Sequence, residues 1–241
     1  MKKITKLLRG RNVLLFLDFE GTQFSHEIIS IGAVLCTLNR NNEIKTYKEP
    51  FKIFVKAKNK IGNYVTDLTQ ITEEMLKKQG ISFNDSLLTL KKYLGMKWKK
   101  CLFVTYGSHD LRMLNQSIAY NFQYPKEFCS QIQHNYCDFS SFLSDYVRDE
   151  KGNPLSLVHA CELFNVQLEE PAHDPRSDAI NLARLFDAFV KNPLLVKEEF
   201  KKSILFTSHI PEPIRQILIK LNNGESVTAE EYDLYVKEYL K

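Results

Sequence analysis

The sequence lacks any long hydrophobic run. In 241 residues, no apolar stretch approaches the roughly 18 residues that are needed to span a bilayer, so no transmembrane helix is predicted. The first residues, MKKITKLLRGRNVLLFLDFEG, have the basic and apolar segments of a signal peptide but no small-residue cleavage site. We therefore interpret residues 1–12 as a basic arm that leads into a core strand, and we expect a cytoplasmic protein.

The chain also lacks paired cysteines, internal repeats and a strong excess of charge. Its 5 cysteines include no CxxC pair, which favours reduced thiols over a disulfide framework or a zinc site. The formal net charge of +4 permits binding to a polyanion without demanding it. With 44% hydrophobic and 26% charged residues, the composition is that of an ordinary globular protein with one large core and an appendage.

Short β-rich runs and helical segments alternate in an order that predicts the fold class. The β-rich runs are Val13–Phe19, Glu27–Leu38, Ile44–Val55 and Cys101–Tyr106, and the turn residues of Asn39-Arg40-Asn41-Asn42 join the second to the third. Helical segments follow, including Asp110–Tyr120, Asp138–Arg148 and Pro175–Val190, whereas Gln123–Asn135 shows no clear period. The order predicts an α/β fold, with a mixed sheet of three antiparallel strands, then parallel βα units, flanked by helices.

The pattern changes after residue 192. Ile210-Pro-Glu-Pro begins a helix, and Thr228-Ala-Glu-Glu is a capping box that begins a last amphipathic helix. We therefore divide the chain into the arm (residues 1–12), a main domain (13–192) and a C-terminal helical extension (193–241). The extension carries no motif that we can assign, and contact with a protein partner, self-association and packing on the main domain are its open alternatives.

Four acids and one histidine lie at the ends of predicted strands and the starts of predicted helices, where α/β proteins commonly bind ligands. Asp18 and Glu20 stand at i and i+2 at the end of the first strand, so they point to the same side of the sheet. Asp110 follows the fourth strand, with helix capping as its alternative role. Asp178 falls just past the first turn of a helix that begins at a proline, and His173 lies in the loop before it.

These residue types together predict a particular chemistry. Four carboxylates at one site raise each other's pKa values, and divalent cations remove that conflict. A histidine beside them supplies a base that titrates near neutral pH. Solvated surface acids are the alternative for each motif alone, but the combination indicates a metal-dependent nuclease.

The motifs LDFEGT, YGSHDLRML and AHDPRSDA, in this order, resemble those of the DEDDh family of 3′→5′ exonucleases. The resemblance implies an RNase H-like sheet and a two-metal mechanism of phosphodiester hydrolysis. It implies that two divalent cations, Mg²⁺ or Mn²⁺, are held by Asp18, Glu20, Asp110 and Asp178. It also implies that His173 deprotonates the attacking water and that the product is a nucleoside 5′-monophosphate.

The resemblance extends to residues that contact the terminal nucleotide. Gly21 and Thr22 match positions that hold this nucleotide in relatives, and Phe24 is a candidate for stacking on a base. Ile71 and Met75, in the segment ITEEM, match apolar residues that wedge against the last base. Burial in the core is the alternative for Phe24, Ile71 and Met75.

The resemblance thus implies removal of nucleotides from the 3′ ends of single-stranded nucleic acid. RNA is slightly favoured over DNA, because the motif contexts are closer to the exoribonuclease branches. The alternatives are a DNA exonuclease of the proofreading type and a non-catalytic nucleic-acid-binding module of the same fold. All five catalytic positions are filled, which disfavours the binding module.

Overall fold

In a computed structural model, residues 2–206 and 210–241 are described and form two compact units. The first unit comprises Met1–Ser140 and Ser156–Lys191, and the second comprises Ser141–Leu155 and Asn192–Lys241. Residue 1, in the predicted arm, and residues 207–209, in the predicted extension, lie outside the described residues. None of the helices in the described ranges is long and apolar enough to cross a bilayer.

The first unit is built on a mixed sheet, in which the described residues form six strands. These are β1 (Val13–Gly21), β2 (Ile28–Leu38), β3 (Ile44–Tyr47), β4 (Phe51–Phe54), β5 (Leu102–Thr105) and β6 (Tyr136–Asp138). β1 pairs antiparallel with β2 and parallel with β5, which pairs parallel with β6. β3 and β4 pair antiparallel with the end and the beginning of β2. This topology confirms the predicted α/β fold.

Helices flank the sheet and make up most of the second unit. In chain order, the described helices are α1 (Lys2–Leu8), α2 (Asn63–Thr69), α3 (Glu73–Gln79), α4 (Phe83–Leu94), α5 (His109–Tyr120), α6 (Lys126–His134), α7 (Phe139–Leu143), α8 (Leu157–Leu163), α9 (Pro175–Lys191), α10 (Pro193–Ser203), α11 (Glu212–Asn222) and α12 (Ala229–Tyr239). Short 3₁₀ turns follow α4 and α10. The predicted capping box at Thr228 is present at the start of α12.

Alternation along β1 divides its side chains between the two faces of the sheet. Leu15, Leu17 and Phe19 belong to a buried cluster that includes residues of α4, α5 and α6. Phe16 points the other way and packs against Phe186 of α9, with ring centroids 5.6 Å apart. The even-numbered side chains of β1 therefore face α9.

The predicted strand Ile44–Val55 is interrupted, and the structure has β3 and β4 in its place. Pro50 lies between them and has no N–H to donate to a neighbouring strand. Cys36 pairs with Tyr47 and Ala33 with Phe51, so four steps along the outer chain oppose three along β2. The interruption is therefore a bulge, which the hydrophobic pattern did not reveal.

A helix, α6, occupies most of the segment Gln123–Asn135, to which the sequence pattern assigned no element. Its Phe128, Cys129 and Ile132 are buried in the same cluster as β1. The predicted helix Asp138–Arg148 is shorter, because β6 takes its first residue and α7 ends at Leu143. Elements this short do not complete enough turns for a hydrophobic period to be measured.

The start of α9 lies directly on β2 at Gly32. A Cβ atom added to Gly32 would stand 1.9 Å from the carbonyl oxygen of Pro175 and 2.4 Å from the backbone nitrogen of Arg176. No side chain fits at that distance from backbone atoms. Glycine at this position is therefore what allows the helix to begin so close to the sheet.

We predict that Gly32→Ala destabilises the fold by at least about 3 kcal/mol, the upper end of the usual cost of overpacking. Gly95→Ala is the control, because its Cβ would meet no atom within 4 Å and only its φ of 58° is unfavourable. Backbone strain of that kind, with ψ at −142°, costs about 1–3 kcal/mol. Urea unfolding measures both variants, and a Gly32→Ala midpoint no lower than that of the control would contradict the close contact.

Candidate active site

The end of β1 carries two acids on the face of the sheet that α9 covers. Asp18 and Glu20 follow Phe16 at intervals of two residues, so their side chains point toward the same face of the sheet as Phe16. The apolar residues before Asp18 are buried, whereas Asp18 and Glu20 are partly exposed. The strand thus leads from the core into a position that water and ligands reach.

The start of α9 brings a third carboxylate to this position. Asp174 caps the helix, as predicted, because its Oδ1 accepts the backbone N–H groups of Arg176 at 2.9 Å and Ser177 at 3.2 Å. Pro175 is the first helical residue, also as predicted. Asp178 therefore lies one turn into the helix, on the segment that rests on the sheet.

His173 precedes the cap and completes a compact group. Its backbone has a φ of 59°, in the left-handed region, so the chain turns sharply just before α9. One potential ligand atom from each of Glu20, His173 and Asp178 lies within 4.8 Å of the others. The strand and the helix start thus bring together three side chains from two distant parts of the sequence.

Asp110 reaches the same position from the other side of β1. It lies in the first turn of α5, and its Oδ1 accepts the backbone N–H of Phe19 at 2.8 Å. Because Phe19 stands between Asp18 and Glu20, this hydrogen bond fixes another carboxylate at the strand end. Ser108 is the N-cap residue of α5, so the capping alternative for Asp110 is wrong.

Burial raises the pKa of all four carboxyl groups, and the charges of neighbouring carboxylates add to the effect. Burial raises the pKa of Glu20 to about 8, and the charges of Asp178 and Asp110 add to the effect. Burial also raises the pKa of Asp18 well above its usual value, with Asp110 and Glu20 contributing. Burial raises the pKa of Asp110 to about 7 and raises that of Asp178, where the charge of His173 opposes the shift. The four groups thus interact as one cluster.

The carboxylate of Asp178 is held by neighbours that the sequence motifs did not identify. Burial raises the pKa of this carboxyl group, and the backbone N–H of His173 and the side chain of Asn181, which face it, oppose the shift. Asn181 in turn accepts the N–H of Glu169 at 2.7 Å and donates to its carbonyl oxygen at 3.2 Å. The spacing of three residues along one helix face is the signal that relates Asn181 to Asp178.

The loop after β1 places three predicted contact residues in different surroundings. Phe24 is 80% exposed, so its burial alternative is wrong. Thr22 is buried, and its Oγ1 accepts the N–H of Glu27 at 2.9 Å. A Cβ at Gly21 would stand 2.5 Å from Sδ of Met113, so its close approach is to the protein itself. Phe24 is thus the member of this set with an accessible side chain.

The two predicted contact residues in the segment ITEEM, Ile71 and Met75, also differ in exposure. Ile71 is 1% exposed and belongs to a small core cluster with Ile29, Ile61 and Leu76. A side chain so deeply packed cannot wedge against a base, and the structure therefore supports the core alternative for Ile71. Met75, on α3, is partly exposed and remains accessible.

The donor set of this site suits divalent cations. Carboxylates that raise each other's pKa are held in mutual repulsion, which a bound cation relieves. Oxygen donors of this kind favour Mg²⁺ or Mn²⁺ over a soft metal. The residues present therefore fit the divalent cations that the sequence motifs imply.

The family model of the RNase T exonucleases, described as "Exonuclease", matches residues 15–186. The match covers most of the chain, which therefore belongs to this exonuclease family. The family generally uses divalent metal ions. A comparison with curated protein sequences gave no match.

Solved structures with this fold include several exonucleases. A full-length 3′-exonuclease superposes with a TM-score of 0.61 at 19% identity, covering 76% of this chain and 62% of that one. The nuclease domain of 3′hExo, a DEDDh family member bound to rAMP, gives 0.58 at 21% identity, with coverages of 76% and 94%. E. coli Exonuclease I with a dT13 oligonucleotide gives 0.56 at 16% identity, with coverages of 86% and 46%.

The chain thus spans less than two thirds of the full-length 3′-exonuclease and less than half of Exonuclease I. At these identities the likeness shows the fold. Together with the family match, it confirms the prediction of a DEDDh-type exonuclease.

We predict that the metal-free protein loses stability as the pH rises from about 5 to about 8. The folded pKa values of Glu20 and Asp110, about 8 and about 7, exceed the ordinary carboxyl values of the unfolded chain. The folded state therefore binds more protons in this window, and deprotonation costs it stability. Tm in the presence of a chelator measures the effect, and added Mg²⁺ should reverse it.

Glu20→Gln tests the cause of this pH dependence. It should raise the metal-free Tm near pH 8 by about 2–4 °C for each kcal/mol of repulsion removed. Glu127→Gln, at an exposed acid in the first turn of α6, is the matched control and should not raise Tm, because a negative charge is favourable at that end of a helix. A metal-free Tm that is flat across the window, or equal effects of the two substitutions, would contradict the repulsive cluster.

Proposed function

We propose that this chain is a metal-dependent 3′→5′ exonuclease that releases nucleoside 5′-monophosphates from single-stranded nucleic acid. The observation that carries the proposal is the convergence of four carboxylates at the end of β1, with a histidine beside them. The family match over residues 15–186 supports it. We assign the activity to residues 13–192, as the sequence pattern divides the chain.

The four carboxylates of Asp18, Glu20, Asp110 and Asp178 would hold two divalent cations, Mg²⁺ or Mn²⁺. When bound, such ions stabilise the attacking and leaving oxygens of an in-line displacement. The N–H of Phe19 orients Asp110, and Asn181 orients Asp178. Carboxylates that are already held in place would need to move less when the cations bind.

His173 acts as the general base that takes a proton from the attacking water. Its side chain is exposed, so the proton that it takes can pass on to solvent. The ligand atoms of Glu20 and Asp178 lie within 4.8 Å of its ring nitrogen, which brings the imidazole to the reacting group. A base must lie within hydrogen-bond reach of the water that it activates.

The terminal nucleotide stacks on the ring of Phe24, with Met75 as a second apolar contact. An aromatic face binds any base without reading its identity, which suits an exonuclease that advances through varied sequence. Among the structural relatives, 3′hExo holds rAMP and Exonuclease I holds a DNA oligonucleotide. We favour RNA on the motif contexts, and a contact to the 2′-OH is what would decide the preference.

A time course on 5′-labelled single-stranded RNA, with the matching DNA in parallel, tests the proposed reaction. We predict a ladder that shortens from the 3′ end with Mg²⁺ or Mn²⁺ and is absent with chelator. Asp18→Ala should abolish it, because the remaining carboxylates no longer enclose the cations. Binding without cleavage under every metal would contradict the proposal and would favour a binding module.

His173→Ala should lower kcat by about 10²–10⁴-fold, the usual contribution of a general base, while the protein stays folded. The control is His134→Ala, at an exposed histidine of α6, which should retain normal turnover. Single-turnover rates over the neutral pH range measure both variants. Wild-type rates in His173→Ala would rule out this histidine as the base.

Phe24→Ala should raise KM more than it lowers kcat. Stacking on one base contributes about 1–3 kcal/mol, which corresponds to a roughly five- to 150-fold rise in KM. Phe122→Ala is the matched control, because this ring is 96% exposed and follows the far end of α5 from Asp110. Equal effects of the two substitutions on KM would contradict a specific stacking role for Phe24.

A further inference from the structure

One lysine lies beside the contact between β2 and α9. Gly32, on which the start of α9 rests, pairs with Asp18 of β1 on one side and with Lys52 of β4 on the other. Lys52 therefore lies in the row of cross-strand neighbours that begins at a site carboxylate. Its Nζ stands 4.9 Å from the ring centroid of Phe54, two residues along the same strand.

The ammonium group of Lys52 forms an ion pair with the cap of α9. Its Nζ lies 2.6 Å from Oδ2 of Asp174, and the two side chains are 23% and 21% exposed. The two carboxylate oxygens of Asp174 thus have separate partners. Oδ1 accepts the N–H groups of Arg176 and Ser177, while Oδ2 accepts from Lys52.

This arrangement fixes the residue on which the proposed chemistry depends. His173 is bonded covalently to Asp174 and turns with a φ of 59°, which most residues adopt only where surrounding contacts hold them. The backbone N–H of His173 also faces the carboxylate of Asp178. The backbone that carries the imidazole is therefore held by the Lys52–Asp174 pair next to it, and it lies against the carboxylate of Asp178.

We propose that Lys52 is a positioning residue, which holds Asp174 and thereby keeps His173 aligned with Glu20 and Asp178. The inference rests on the proposed function, because it concerns the general base of that reaction. Lys52 acts on the imidazole through Asp174. A misplacement of about 1 Å can cost about 100-fold in rate, so an ion pair of modest stability can matter greatly here.

Lys52→Met and Asp174→Asn separate this role from helix capping. Asparagine caps a helix as well as aspartate does, so Asp174→Asn removes the charge pair and keeps the cap. Each substitution should lower kcat by about 10- to 100-fold with little change in KM. The double variant should be no slower than either single variant, and Lys52→Arg should recover most of the rate because it restores the pair.

The same substitutions in a His173→Ala background show whether the effect passes through the histidine. There, Lys52→Met should cause no further loss of kcat. A wild-type kcat in Lys52→Met, additive losses in the double variant, or a raised KM with unchanged kcat would overturn the proposal. The last result would indicate that Lys52 contacts the substrate directly.

Hydrogen exchange gives a measurement that does not need activity. Lys52→Met should speed the exchange of backbone amides in residues 172–178, which include the two N–H groups that Asp174 accepts, and leave β1 unchanged. Normal turnover in His173→Ala together with faster exchange would reject the base assignment alone. Unchanged exchange in this segment would reject the positioning role, whatever the activity shows.

Discussion

Repulsion among four carboxylates at the end of β1 is the constraint on which the arrangement of the first unit depends. Burial raises the pKa of each group and nearby carboxylate charges add to the shift, so the folded chain holds them together at a cost in free energy. Burial of apolar side chains elsewhere offsets this free-energy cost. The largest contribution comes from the apolar residues of β1 and β2, which lie between the helices on the two faces of the sheet. A divalent cation turns the unfavourable cluster into a binding site, which explains why the fold tolerates it.

Strand alternation and one close backbone contact determine where the four carboxylates lie relative to one another. The even-numbered residues of β1 face α9, so Asp18 and Glu20 meet Asp178 across the sheet surface. Gly32 lets the helix begin against the strand, and the ion pair between Lys52 and Asp174 holds the turn that carries His173. The chemistry therefore depends on residues that never touch a substrate.

The fold class, and the grouping of the predicted acids and histidine at the end of β1, could be predicted from local spacing along the chain. The two acids stand at i and i+2 directly after an apolar run, which identifies a strand end. The proline at the first helical position places His173 and Asp178 relative to the start of α9. The role of Lys52 could not be predicted in this way, since it and Asp174 are 122 residues apart in the chain. The burial of Ile71 and the bulge at Pro50 likewise depend on neighbours that only the assembled sheet provides.

Calorimetric titration of the metal-free protein with Mn²⁺, in two buffers of different ionisation enthalpy near pH 7, tests the central claim most directly. If the carboxylates share protons because they repel, cation binding must release those protons, and the measured heat will differ between the buffers. Identical heats in both buffers, or no binding at all, would contradict the account of a repulsive carboxylate cluster that divalent cations relieve.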